Sequence, residues 1–463
     1  MKRHILIISL LTISCSVFAQ DVYTLDKCRE MATSNNTSNS IAKENIAKAQ
    51  YTLNSYRANY LPKFSVAGTY MYSNQTFSKT ITGGYLPTFV PDPQTGALTP
   101  NILGMGPDGS IIFKEYAYMP DIPFELKFDG IYNFRISVEQ PIFMGGKIVA
   151  ANKMASIGRD VSRLQQTLTR SQVIEECDKA YWTCVKAGQM LVLAQKYCDM
   201  LNELSKNVEN AVNVGMVHNK ELLTVRVKQN EAELSLRKAQ NGVRLATMNL
   251  CYTIGIPMTS KIAVADSFEG MEQAIIPDGV DISSRPEYAM LSKQVDLKKY
   301  QERLVRSDYL PNLGVMAMYG YTNGVKLNNE KIIDGSSVVA LASLKIPIFH
   351  WGEGYNKIRA AKSERKIAQM QMDDLSRKME LEANQAMNAM DEALFEVTMT
   401  RKSLSQAEES MKVCKDQYEV GLETLANYLM SQTSWQKAYA DYIAAQADLQ
   451  LSKTVYLKTI GKL

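Results

Sequence analysis

One long pattern occurs twice in this sequence and restricts the fold more than any other feature. The motif Pro-Ile-Phe, two free positions and Gly fills 141–146 and again 347–352, 206 residues further along. A Val-Gly pair follows 74 residues after each proline, ending in Gly215 and Gly421. Such a repeat indicates two halves with one structural plan.

Four segments alternate apolar and polar residues with the period of a β-strand. The apolar faces are Phe64, Val66, Tyr70 and Tyr72; Tyr132, Phe134, Ile136 and Val138; Leu313, Val315, Ala317, Tyr319 and Tyr321; Val338, Ala340, Ala342, Leu344 and Ile346. Each segment has about 10–13 residues, the length of a strand that crosses a membrane. The tyrosines gather toward one end, as in an aromatic girdle.

The remainder of each half predicts long helices. No proline interrupts Lys147–Asn213 or Glu353–Glu419, and each could form on the order of 100 Å of helix. Each is followed by Val-Gly and a second helix, at 222–250 and 425–460. The two halves therefore each predict an antiparallel helical hairpin with apolar residues at heptad spacing.

Prolines stand where the period changes from helix to strand and back. Leu-Pro at 61–62 and 310–311 ends a helix, and Pro-Ile-Phe ends a strand before a glycine turn. The residues of this boundary are Pro62, Pro141, Gly146, Pro311, Pro347 and Gly352.

The pattern predicts a complete order of segments. A signal peptide at 1–19 is followed by a connecting segment at 20–39. The first half has a helix at 40–60, two strands within 61–143 around a long loop at 74–127, and a hairpin at 144–252 with its tip at 214–221. A second connecting segment, 253–285, precedes the second half. That half has a helix at 286–309, two strands within 310–349 around a short loop at 322–337, and a hairpin at 350–463 with its tip at 420–427. Between its Leu-Pro and its Pro-Ile-Phe the first half has 43 residues more than the second, and its long loop, rich in Pro and Gly, has no regular period.

The N-terminus and the charge point to an exported protein. Two basic residues, an apolar run and Val17-Phe18-Ala19 are typical of a secretory signal, with Cys15 leaving a lipoprotein alternative. The net charge of +4 gives no bulk attraction to nucleic acid. Cys177, Cys184 and Cys198 fall in one heptad column, which favours core packing over redox chemistry.

Four strands cannot close a barrel, and open sheet edges do not persist in lipid. The chain is therefore expected to oligomerise. Three copies would supply 12 strands, the smallest number expected to leave a water-filled pore. The predicted fold is an α+β membrane protein with a shared β-barrel and helical tunnel.

These features together resemble the TolC-like outer-membrane efflux protein family. The resemblance rests on the signal peptide, the two-fold repeat, the proline boundaries, and the tips "VGMVHNKELL" and "VGLETLANYL". It implies a homotrimer with a 12-stranded barrel in the outer membrane, continuous with a 12-helix periplasmic tunnel. An equatorial belt would come from 20–39 and 253–285. Such a protein is an exit duct for drugs or other small molecules, or for type I secretion. Its implied partners are a periplasmic adaptor (membrane fusion) protein and an inner-membrane pump such as a resistance-nodulation-division transporter.

The resemblance also implies a gate at the helix tips. The family's acidic ring is absent, because Asn427 and Met430 occupy its positions. Glu221 keeps one acid in the first tip, Tyr418 matches a tip tyrosine, and Lys220 with Glu423 could form a gate link of reversed polarity. His218 is expected to be an exposed turn residue. The full set of expected tip residues is Gly215, His218, Lys220, Glu221, Tyr418, Gly421, Glu423, Asn427 and Met430.

No catalytic motif, metal cluster or phosphate loop is present in the sequence, so no enzyme activity and no cofactor are expected. The 24 methionines fit core packing better than a soft-metal path. A soluble periplasmic coiled-coil scaffold or chaperone without a pore remains the alternative, against which the long apolar strand faces argue.

Overall fold

The computed structural model describes residues 21–266, 268 and 280–463. The predicted signal peptide with Cys15, and part of the second connecting segment, lie outside the described residues. The chain divides into two compact units. A helical unit comprises residues up to Asn54, Ala151–Glu302 and Arg359–Leu463. A sheet unit comprises Ser55–Ala150 and Arg303–Ile358.

Seven helices are present in the described part of the chain. They are α1 Leu25–Asn35, α2 Thr37–Ala58, α3 Lys147–Asn213, α4 Asn219–Ile254, α5 Pro286–Ser307, α6 Glu353–Glu419 and α7 Leu425–Thr459.

The same residues form thirteen strands. They are β1 Asp21–Tyr23, β2 Lys63–Met71, β3 Thr76–Ile81, β4 Gly84–Pro87, β5 Phe89–Pro91, β6 Leu98–Pro100, β7 Ile102–Met105, β8 Ile111–Phe113, β9 Tyr116–Met119, β10 Ile122–Met144, β11 Ile262–Val264, β12 Asn312–Leu327 and β13 Glu330–Lys345.

The two long helices are confirmed. Both α3 and α6 have 67 residues and end at the residues predicted from the proline-free runs. Many of their buried positions hold small side chains, among them the predicted cysteine column at Cys177, Cys184 and Cys198 on α3. Small side chains let neighbouring helices pack along narrow stripes, as the heptad pattern requires.

The two connecting segments meet in a short parallel sheet. Strand β1 pairs with β11, with Val22 opposite Ala263. Tyr181 on α3 secures this sheet, since its hydroxyl lies 3.2 Å from the Tyr23 carbonyl and 2.7 Å from Asp266 Oδ2. This pairing joins chain segments about half the sequence apart.

A buried carboxylate ties three helices together beside that sheet. Asp178 on α3 is fully buried and accepts hydrogen bonds from Arg29 Nε and Nη2, at 2.7 and 2.5 Å. Thr454 on α7 donates a third at 2.6 Å. The bidentate geometry supplies the partners that a buried charge requires.

The main sheet has the strand order β13-β12-β10-β2, and β3 pairs with the same edge of β10 as β2 does. The predicted loop at 322–337 is wrong. Strands β12 and β13 continue through it and are joined by Asn328 and Asn329, both with positive φ. This is the conformation of a two-residue hairpin turn, which asparagine tolerates better than most residues.

The predicted unstructured loop at 74–127 is also wrong. It contains β3 to β9 and the start of β10, paired as β3–β10, β4–β9, β5–β6 and β7–β8. Prolines and glycines punctuate these strands rather than prevent them, because each strand is only three to six residues long.

The proline boundaries are present with one difference between the halves. Pro62 and Pro311 each lie between a helix and a strand, as predicted. Pro347 follows β13, whereas Pro141 lies inside β10 at a register shift next to its end. A bulge position accommodates proline because its missing N–H is not needed there.

Candidate functional site: an exposed apolar sheet face and the paired helix tips

The four predicted apolar faces form one continuous surface. In the ladder Ile136 lies opposite Val66 on one side and Tyr319 on the other, and Tyr319 lies opposite Val338. Opposed residues of an antiparallel pair point to the same side of the sheet. Each apolar residue therefore stands beside apolar residues of the next strand.

This surface is exposed in the single chain. Phe64 is 75% exposed, Val338 77% and Leu344 61%. An apolar patch of this extent marks a surface that lipid or another protein covers.

The tyrosines form a band at one end of the face. The rings of Tyr70 and Tyr132 lie 4.8 Å apart between centroids, and Tyr319 and Tyr321 lie on the neighbouring strand. The Tyr321 hydroxyl donates to Asp334 Oδ1 at 2.6 Å. Rings with an apolar body and a polar tip suit the border between an apolar layer and water.

The sheet has two open edges, β13 and the β2–β3 side. Their outer backbone groups have no partner strand among the described residues. In hydrocarbon an unpaired edge would be costly, and each of these edges would there need a further strand.

The two helix tips have the same backbone geometry. Gly215 and Gly421 adopt φ of 76° and 77°, and the following amide bonds back to the helix from Met216 and from Leu422. This is the glycine C-cap that ends a helix without a Cβ penalty. The next helices start after His218, which makes no side-chain cap bond, and Thr424, whose hydroxyl accepts from the Asn427 amide.

An aromatic stack joins α6 to α7 at the tips. The rings of Tyr418 and Tyr428 lie 5.4 Å apart with 22° between their planes. Burial raises the pKa of the Tyr418 hydroxyl, and the nearby Glu221 carboxylate raises it further. These side chains line a cleft of about 950 Å³ between the two hairpin ends. The structure thus brings together Glu221 and Tyr418; Tyr428 was not predicted, since it looks like an ordinary core residue of an amphipathic helix.

The predicted Lys220–Glu423 link does not form within one chain. Glu423 Oε1 instead accepts from the Asn427 side-chain amide at 2.6 Å and from the Thr424 amide at 2.9 Å. These bonds lower the pKa of the Glu423 carboxyl. Spacing along the sequence allows both Lys220 and Asn427 as partners of Glu423, so it could not decide between them.

The remaining tip residues face solvent. His218, Lys220 and Met430 are exposed, in agreement with the expectation for His218. The tips also expose equivalent apolar residues, namely Val214 and Met216 in the first and Val420 and Leu422 in the second, each at 70% or more. Exposed apolar side chains at both turns are unusual for helix ends facing water alone.

Two further properties of the described residues bear on other functions. No helix in this part of the chain combines the length and the hydropathy needed to span a membrane. No group of three or more His, Cys, Asp or Glu side chains in it could hold a metal ion.

Comparison with known proteins agrees with this architecture. Residues 282–456 match the family described as outer membrane efflux protein. The outer membrane efflux protein BepC of Brucella suis biovar 1 (strain 1330) is 19% identical over 420 residues, which cover 86% of this chain and 89% of BepC. The Campylobacter jejuni outer membrane channel CmeC has the same fold, with a TM-score of 0.73, 18% identity, and coverage of 95% of this chain and 85% of CmeC. The Vibrio cholerae outer membrane protein VceC gives 0.69 with 13% identity, covering 94% and 96%.

The resemblance to the TolC-like outer-membrane efflux proteins is confirmed. The matched family and these relatives are described as outer membrane efflux proteins and channels, not as enzymes. Their names place them in the outer membrane. The alternative of a soluble scaffold is not favoured.

Proposed function

We propose that three copies of this chain form the outer-membrane exit duct of a tripartite efflux or type I secretion system. Their sheets make a 12-stranded barrel, and their hairpins make a 12-helix tunnel. The duct is passive and carries small molecules such as drugs. The main observation behind the proposal is the exposed apolar face with two open edges. Lipid can cover the face, and strands of further copies can pair with the edges.

The internal repeat supports a specific pairing between copies. Inside one chain, the second strand of the first half, β10, pairs with the first strand of the second half, β12, and Ser137 lies opposite Met318. The residues equivalent to these by the repeat are Ser343 on β13 and Thr69 on β2. Repetition of the same ladder between chains sets Ser343 of one copy opposite Thr69 of the next. Applied three times, this pairing closes the sheet and leaves no edge.

The tips are proposed to bind the periplasmic adaptor and to close the duct at rest. The exposed Val214, Met216, Val420 and Leu422 offer apolar contacts to adaptor helices. The cleft between the hairpins, with Glu221, Tyr418 and Tyr428, is where the hairpins would separate on opening. The inner-membrane pump then connects through the adaptor.

A disulfide between copies tests the proposal. The variant carries Ser343→Cys and Thr69→Cys in a Cys414→Ser background, so that the remaining native cysteines are buried. Directly opposed residues have Cα atoms about 4.5–5.5 Å apart, within the range a disulfide spans. We expect the oxidised protein in outer membranes to migrate at three times the chain mass on non-reducing gels.

The matched control pairs Ser343→Cys with Ser65→Cys. Ser65 is four residues from Thr69 on the same strand, roughly 13 Å away, so this pair is expected to stay reduced. A monomeric mass for both variants, or equal cross-linking of both, would contradict the proposed ladder.

A further inference from the structure

The segment that distinguishes the first half from the second is a forked β-structure. Strands β4 and β9 form a stem that continues from β3 and β10. Beyond the stem, residues 88–115, here called the fork, divide into two hairpins, β5–β6 and β7–β8.

A three-way junction holds the fork together. Thr88 donates from its amide and its hydroxyl to the Glu115 carbonyl, at 3.2 and 2.8 Å. The Asn101 amide donates to the Thr88 carbonyl at 2.9 Å, and the Lys114 amide to the Asn101 carbonyl at 2.7 Å. Phe113 packs against Phe89 and Tyr116, with centroids 6.4 and 5.9 Å away. The fork is therefore a defined structure and not an arbitrary coil.

The faces of both hairpins are apolar and uncovered. Leu98 is 71% exposed, Leu103 67% and Met105 76%, while Phe89, Ile102 and Ile111 are about half exposed. An isolated two-stranded hairpin is marginally stable in water, and an exposed apolar face of this kind usually has a partner.

Charge and proline indicate how the faces can be covered. The four strands of the fork contain no charged residue. Asp92 and Asp108 lie at the two turns, where each accepts hydrogen bonds from its own turn, at Gln94 and Ser110. Identical neutral faces can meet without like-charge repulsion. Pro87, Pro91 and Pro100 end strands and lack an N–H, which blunts edge-to-edge extension and leaves the side-chain faces for contact.

We propose that the forks of three copies pack against one another through these apolar faces. The inference rests on the proposed trimer, which places three forks on one rim of one barrel. Tethering at such short range gives effective concentrations of about millimolar, so even a weak apolar contact forms. The partner of each fork is thus the fork of another copy, which the proposed trimer always places nearby.

Site-specific cross-linking tests this contact. Leu103→Cys and, separately, Leu98→Cys are placed in the Cys414→Ser background and treated with a short bis-maleimide in outer membranes. We expect cross-linked dimers from both variants, because packing of the three forks through their apolar faces brings the same position of neighbouring copies close together. Gln94→Cys, at the β5–β6 turn, is the matched control and is expected to remain monomeric. Adding Met105→Glu to Leu103→Cys should abolish the cross-link, since like charges would face each other.

The variant with Ser343→Cys and Thr69→Cys separates the two proposals. If its disulfide forms while neither Leu98→Cys nor Leu103→Cys gives dimers, the fork contact is refuted and the trimer stands. If its disulfide also fails, the proposed function fails too. Equal cross-linking of Gln94→Cys, or fork products formed with a different protein, would likewise overturn the fork contact.

Discussion

At the scale of single residues, the helical unit depends on a buried charge whose partners are distant in sequence. Asp178 accepts from Arg29, 149 positions away, and from Thr454, 276 positions away. No local pattern predicts such a pairing. A burial pattern alone would place an apolar residue at position 178, because its neighbours Cys177 and Tyr181 are in the core.

Asp178→Asn should destabilise the helical unit markedly. Loss of the carboxylate leaves the Arg29 guanidinium, itself only 30% exposed, without its charge partner. Breaking a buried pair costs about 3–5 kcal/mol, and the exposure of Arg29 places the expected loss near the lower end. Denaturant unfolding followed by far-UV circular dichroism measures it. The control is Asp308→Asn, whose pair with Lys147 is half exposed on both sides and should change stability by less than about 1 kcal/mol. Equal effects of the two substitutions would count against the structural role of Asp178.

The buried thiols should resist modification until the protein unfolds. Burial raises the pKa of Cys28 and of Cys177 to about 12, so both stay protonated at neutral pH. Because these pKa values lie above those of the unfolded thiols, the contribution of the two thiols to stability is constant below about pH 8.5 and falls as the pH rises toward 12. Maleimide labelling with peptide mapping should modify Cys414, which is partly exposed, well before Cys28 or Cys177. Comparable labelling rates in folded protein would show that the helical core is open.

At the scale of elements, the turn from strand to helix has a similar backbone in the two halves but different residues. Gly145 and Gly146 have φ of 58° and 85°, and Trp351 and Gly352 at the equivalent positions have 51° and 79°. A Cβ on Gly145 would lie 2.7 Å from the Ser307 carbonyl oxygen, whereas Trp351 is 90% exposed. Glycine is therefore required only where α5 packs against the turn.

Gly145→Ala should weaken the sheet unit, because the new methyl group meets the backbone of α5 in addition to the strain of a positive φ. The control is Gly215→Ala, at a similar φ but with open space around the Cβ, where only backbone strain of about 1 kcal/mol is expected. Thermal stability of the folded protein in detergent compares them. The idea fails if Gly215→Ala lowers the melting temperature as much as Gly145→Ala.

Elements were predicted well where the periodicity was long and poorly where the strands were short. The helices α3 and α6 run for 67 residues, and so many turns make the period unmistakable. In β3 to β9 a strand has at most six residues, too few for alternation to stand out against the surrounding prolines and glycines. The hairpin at Asn328 and Asn329 was not predicted, because the polar residues around it are also typical of a loop.

At the scale of the whole molecule, gating should depend on the stack at the tips. Tyr428→Ala removes a ring that packs on Tyr418 and so weakens the contact between α6 and α7. Loss of an aromatic pair of about 1 kcal/mol corresponds to roughly a fivefold shift toward the open tip. In planar lipid bilayers the conductance should therefore rise, or the channel should open more often. Tyr252→Ala, on an exposed position of α4, is the control and should conduct like the parent protein. Unchanged conductance of Tyr428→Ala would show that the Tyr418–Tyr428 stack does not control gating.

The sequence by itself determined the two-fold plan, the long helices, the four apolar strand faces and the glycine tips. These features depend on local periodicity and on the special backbones of proline and glycine, which the order of residues expresses directly. The tertiary structure decided the pairing of β1 with β11, the Asp178 cluster, the Tyr418–Tyr428 stack, the choice of Asn427 over Lys220 as the partner of Glu423, and the fork. Each of these is a choice among partners of similar chemistry. Only the folded chain makes that choice, because it alone sets which candidates come within hydrogen-bonding or van der Waals distance.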